Sequence, residues 1–280
     1  MPTTFLSAGK VQIALIFRSK VLCRRVLGAL LQTLNIDGTF ETAPIGFYQV
    51  LNLIATYRGA KFPVWTCLLT SKTAGLYTAL LHRFQREYPT VYPRLIQANF
   101  EAALNLAAKI VFPKASMRGC LLHYSSAVFN KMKELGLVPF FQSHQEVRHI
   151  LRRIMCLLLL PAHKITEQVD FLLINDIQQT KDPRAKELLS QLMTDYIINF
   201  WFRKIGPSCM SVWGCPDKTN NGCKQFHAQM HSQLKRSSKI FNFLAKLNDN
   251  LYADCERKLE QLDKGQNVHS IKKKSEEHQQ

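Results

Sequence analysis

Asn35-Ile36-Asp37-Gly38-Thr39-Phe40 is the stretch on which the reading of this chain turns. A helical pattern runs into it from residue 20, with Leu22, Val26, Leu27, Leu30, Leu31 and Leu34 recurring at helical spacing. A strand starts in it. Asp-Gly is also a common turn signal, so the bland reading makes Asp37 the corner of a hairpin. The sharper reading makes it a strand carboxylate that needs partners from farther along the chain.

Outward from this stretch, strand-like runs at residues 37–42, 47–56 and 62–69 are separated by Ala43-Pro44-Ile45-Gly46 and Arg58-Gly59, which predicts an antiparallel meander. A helix is expected over 74–88, stopped by Pro89. Strand 94–98, helix 101–110, strand 118–123 and helix 125–135, ended by Gly136, then alternate. This order predicts a mixed sheet with helices on its faces. From 138 to 205 the pattern is helical throughout, and a cysteine-bearing loop at 206–219 leads to a long helix over 220–247.

The domains expected are an irregular arm over 1–20, an α/β core over 21–137, an all-helical insertion over 138–217, a final core helix over 218–250 and a polar, disordered tail over 251–280 that begins as a frayed helix near Glu256.

The totals bound the function. The chain has 280 residues, 46% of them hydrophobic, which suits a folded protein with a sizeable core. Its formal charge of +17, from 37 Lys+Arg against 20 Asp+Glu, favours phosphate-bearing partners, nucleic acid first and anionic membrane second. The eight cysteines are scattered through apolar stretches, as free thiols in a reducing compartment are. The apolar run at 11–17 is followed by Arg18 and Lys20 rather than a cleavage site, and the one at 150–162 is short and broken by Arg152 and Arg153. The chain reads as soluble and intracellular, with no membrane partner.

The element order is that of a ribonuclease-H-like fold with a helical insertion, and here the chain resembles a known family, the Mutator-like (MULE) transposase domain. The resemblance covers roughly residues 22–250. It rests on Asp37-Gly38-Thr39-Phe40, Phe47-Tyr48-Gln49, Pro63, Asn99-Phe100-Glu101-Ala102-Ala103, Gly119-Cys120-Leu121-Leu122-His123, and Asn220-Asn221 followed by Phe226-His227. Each phrase is weak alone, and their order and spacing are the specific part.

In that family three carboxylates hold two divalent metals, which clamp the attacking and leaving oxygens of a phosphodiester from about 4 Å apart. The resemblance puts Asp37 at the first position, Asn99 at the second in place of Asp, and Lys224 at the third in place of Glu. An ammonium about 4 Å from a divalent ion is unfavourable by about 8 kcal/mol at an effective dielectric of about 20. Residues 218–248 contain no Asp or Glu to stand in for it, and the family already carries Glu101 beside its own second acid.

The implied protein is a MULE-transposase-derived domain, catalytically degenerate, that keeps DNA binding and needs no cofactor. An active transposase would instead take Mg²⁺ or Mn²⁺ at Asp37, with Glu101 as an unexpected partner. A protein-interaction module on an inactive scaffold is the third reading.

Cys120 and His123 match the family's Cys-x-x-His signature, either as a pair near the active cleft or as a buried Cys and a strand-end His. Cys209, Cys215, Cys223 and His227 have gaps that match no standard zinc site. Lys218, Lys235, Arg236 and Lys239 form the expected DNA-backbone contact, non-specific in character, against the bland reading of a solvated face. A nuclear location follows from the resemblance, and a homodimer is among the assemblies it allows.

Overall fold

The computed structural model describes residues 3–7, 10–27, 31, 33–215, 217–234 and 239–266. The chain opens with strands β1 (Thr3–Ser7) and β2 (Lys10–Phe17), then helix α1 (Lys20–Val26). The meander follows as β3 (Thr33–Thr39), β4 (Gln49–Tyr57) and β5 (Ala60–Leu69). Helix α2 (Ala74–Glu87), β6 (Leu95–Ala98), α3 (Ala102–Val111), β7 (Ser116–Arg118) and α4 (Leu121–Glu134) complete the alternating part.

These strands form one seven-stranded mixed sheet in the order β1-β2-β5-β4-β3-β6-β7. The pairs from β1 to β3 are antiparallel, and β3–β6 and β6–β7 are parallel. β3 is central and covered on both faces, which is why Asp37 is buried in mid-strand rather than exposed at a corner. Between β4 and β5 the register shifts at Leu53/Ile54 opposite Pro63 and Trp65. The bulge accommodates a proline that has no N–H for the ladder, and the freed Val64 carbonyl accepts from the Cys23 thiol at 3.1 Å.

The two faces differ in polarity. On one, Asp37 pairs with Asn52 and Asn52 with Thr66, forming a polar row across β3, β4 and β5. On the other, Gly38, Leu51 and Trp65 face α2, where Trp65 packs edge-on to Phe84 at 5.1 Å.

After α4 come α5 (Val138–Ser143), α6 (Gln145–Cys156), α7 (Ala162–Phe171), α8 (Pro183–Gln191) and α9 (Pro207–Met210). α7 and α8 continue as π-helical turns over Leu172–Ile177 and Leu192–Ile205. These helices bury their own apolar cluster around Trp201, distinct from the cluster beneath the sheet. α4 lends it Tyr124, Val128 and Met132, so the helical lobe's core reaches back past residue 138. Trp201 meets Tyr124 at 4.8 Å and Phe100, at the end of β6, at 4.5 Å, which joins the lobe to the sheet. Helices α10 (Asn221–Gln233), α11 (Ile240–Lys246) and α12 (Ala253–Asp263) return the chain to the sheet.

Several expectations are corrected. The arm expected to be irregular supplies β1 and β2, because β2 finds the free edge of β5. β3 begins at Thr33, four residues before the expected start at Asp37. The strand expected through His123 ends at Arg118, and His123 lies in the first turn of α4. The single helix expected over 220–247 is divided into α10 and α11.

The expected disordered tail contains α12, which is held by charge: Asp263 pairs with Arg25 at 2.5 Å and accepts from the Tyr57 hydroxyl at 3.1 Å, while Glu256 accepts from Ser19. Tyr252, just before α12, donates to the Phe17 carbonyl at 3.0 Å. Lys235 and Arg236, and the Lys272-Lys273-Lys274 run, lie outside the described residues. Among the described residues, no helix is long and apolar enough to cross a membrane.

Candidate functional site

Asp37 stands where β3 faces α10, and the start of α10 is fixed by contacts from three places in the chain. Gln97 on β6 donates to the carbonyls of Gly119 at 3.3 Å and Asp217 at 3.1 Å. Leu121 N–H donates to the Lys218 carbonyl at 3.1 Å, and Asn220 N–H donates to the Cys120 sulfur at 3.1 Å. Lys61 on β5 pairs with Asp217 at 2.9 Å, and Gly222 leaves the room its stem needs, since a Cβ there would meet Lys61 Cδ at 2.0 Å. The Cys-x-x-His phrase thereby acquires two jobs. Buried Cys120 anchors the start of α10, and His123 turns toward the acid.

The result is a cleft of about 430 Å³ lined by Asp37, His123, Lys224, His227 and His231, with Phe40 and Glu41 at its rim. His123 Nε2 lies 4.0 Å from Asp37 Oδ2, and Gly38 N–H donates to Asp37 Oδ1 at 3.0 Å. Burial pushes the Asp37 carboxyl above the usual carboxylate range. His123, the Gly38 N–H and Lys224 pull it down, and Glu101 pushes it up. His123 is driven down by burial and by Lys224, against the pull of Asp37. His227 is pushed down to about 4 by burial, then by His123 and His231. His231 Nε2 meets the Glu41 carboxylate across the mouth of the cleft.

Asn99 follows the last paired residue of β6, one position beyond the Ile36–Ala98 pair, and so falls level with Asp37. Its side-chain oxygen accepts from Glu101 N–H at 3.2 Å. Glu101 turns to the α2 side, where it accepts from the Tyr77 hydroxyl at 3.0 Å while Tyr77 accepts from Gln49 at 2.5 Å. Burial raises the Glu101 carboxyl, opposed by Tyr77 and Lys72.

Asp37, His123 and Lys224 therefore meet on one cleft, with Asn99 level with Asp37 on the next strand and Cys120 behind the cleft floor. Lys218 and Lys239 are exposed, at the approach to α10 and at the N-terminus of α11. His227 and His231 belong to the cleft more closely than the sequence reading had them. The signal was present: Lys224, His227 and His231 are spaced to share one helix face.

The donors do not fit a pair of divalent cations. One carboxylate faces the cleft floor, the amide level with it accepts from a backbone N–H, and the Lys224 ammonium lines the same cleft. Among the described residues, no group of three or more His, Cys, Asp or Glu side chains is arranged to hold a metal ion. All eight cysteines are free, and buried Cys120 uses its sulfur to accept from the Asn220 N–H.

No curated protein matches the chain. A family model does, that of the MULE transposase domain, over residues 33–127. The match runs from the first residue of β3 into the first turns of α4, and it takes in Asp37, Asn99, Cys120 and His123. The match supports a MULE-family domain over residues 33–127 of this chain.

Proposed function

We propose that this chain is a transposase-derived domain of ribonuclease-H-like fold, degenerate at its metal centre, that binds the phosphate backbone of DNA. The fold assignment draws support from the order β5-β4-β3-β6-β7, an antiparallel meander extended by two parallel strands, with the family's first acid on the central one. The observation that carries the functional reading is the meeting of Asp37 and Lys224 on one cleft. A lysine there supplies, as a fixed side chain, positive charge where a two-metal nuclease would bring its own cations. The acid that remains is partly offset by that lysine.

Retained binding follows from the charge of +17 and from the exposed Lys218, Lys224 and Lys239 around α10. Such contact is independent of base sequence, and it goes with a nuclear location and no membrane partner. One observation favours the active alternative: Glu101 lies within electrostatic reach of Asp37 and raises it. Against it, Glu101 is engaged by Tyr77.

Supercoiled plasmid separates the readings. The protein is expected to retard duplex DNA, with affinity falling steeply as salt rises, and to leave it unnicked with Mg²⁺ or Mn²⁺. Metal-dependent nicking that vanishes in Asp37→Ala would establish the active enzyme instead. Failure to bind duplex at low salt would leave the interaction module.

A further inference from the structure

We infer that the β3–β4 loop carries a stacking platform for unpaired bases, so that the favoured ligand is single-stranded nucleic acid with its phosphates on the adjoining cleft. The inference rests on the nucleic-acid reading above and narrows it. Phe40 directly follows β3 and Tyr48 directly precedes β4, and these aromatics are unusually bare, at 50% and 47% exposure. The rings meet edge-to-face, with centroids 5.3 Å apart at 79°. Lys72 Nζ stands 5.8 Å from the centre of the Tyr48 ring.

Phe40 also lines the cleft that holds Lys224 and His227, so a continuous surface runs from cation to ring to ring to cation. An acidic peptide would use the cations alone. A strand of nucleic acid uses both, because every unpaired base offers a flat π-face beside a phosphate. A duplex hides those faces inside its own stack.

The platform is preorganised. Tyr48 N–H donates to the Leu69 carbonyl at 2.7 Å, Ala43 N–H to Phe40 at 3.4 Å, and Phe47 N–H to Pro44 at 3.1 Å. Thr42, between the rings in sequence, is fully buried. A loop braced in this way holds its aromatics in place before any ligand arrives, which removes much of the ordering cost of binding.

The test is fluorescence anisotropy at low salt in EDTA, with a labelled short oligothymidylate, a duplex of the same length, and the same single strand carrying abasic sites. The native protein is expected to hold the intact strand more tightly than the duplex. Phe40→Ala/Tyr48→Ala should weaken the intact strand by about tenfold or more and leave the duplex unchanged. The abasic strand should bind the native protein about as weakly as the intact strand binds the variant. Both rings are at the surface, and an unchanged thermal transition confirms that the variant is folded.

Equal losses on strand and duplex, or no loss on either, would overturn the platform while leaving DNA binding in place. No binding of any probe by the native protein would overturn both readings together.

Discussion

His227 shows how much a single side chain in this cleft is asked to tolerate. It sits on α10 between Lys224 and His231, faces His123, and is held neutral by burial with a pKa near 4 against its ordinary 6.5. The unfolded chain therefore takes up a proton between about pH 6.5 and pH 4 that the folded chain refuses, so stability falls as pH drops through that window. From pH 7 to pH 5 the loss due to this residue is about 2 kcal/mol. His123, also lowered, works in the same direction.

Asp37, raised, works in the opposite one: its contribution is present at low pH and fades as pH rises through its folded value. Urea unfolding of the native protein and of His227→Gln at both pH values isolates the histidine's contribution. The substitution is expected to remove most of this pH dependence. A variant that loses stability between pH 7 and pH 5 as steeply as the native protein would contradict the assignment.

Elements meet at Gly119, between β7 and α4, where the sheet is joined to the helical lobe. A Cβ at this position would lie 2.0 Å from the Phe100 ring, which itself packs on Trp201. Overpacking of a rigid ring against backbone costs about 1–3 kcal/mol, so Gly119→Ala should lower the unfolding free energy by that much. Adding Phe100→Leu should give part of it back. Strictly additive losses in the double variant, measured by thermal unfolding, would show that the two residues do not share this contact.

The same junction shows where sequence reading succeeds. The alternation around residues 94–135 was legible because Pro93, Gly136 and the apolar spacing are local signals. The turn of His123 toward Asp37 was not, because it depends on α4 starting at Leu121 rather than a strand continuing through it. That start is secured by a long-range bond from Leu121 N–H to Lys218.

At the scale of the whole molecule, the sheet and the helical lobe each bury a core, and what closes the sheet is supplied by the chain's two ends. β2 adds to β5, and α12 docks on α1 through Asp263 and Arg25. The strand was not legible, because an isolated run such as Lys10–Phe17 acquires it only from an edge far away in sequence; of α12 only a frayed helix was, because its docking depends on distant counter-charges. The candidate site spans the same distances. Asp37 was placed in the first core strand by pattern and resemblance. That Lys224 arrives beside it depends on α10 being pinned by Cys120, Gln97 and Lys61.

On the proposed reading, Asn99 and Lys224, and no defect of the scaffold, remove metal binding. Calorimetric titration of Mn²⁺ into the native protein and into Asn99→Asp/Lys224→Glu tests it most directly. Negligible heat is expected from the native protein and restored binding from the double variant. Tight, two-site Mn²⁺ binding by the native protein would contradict the account.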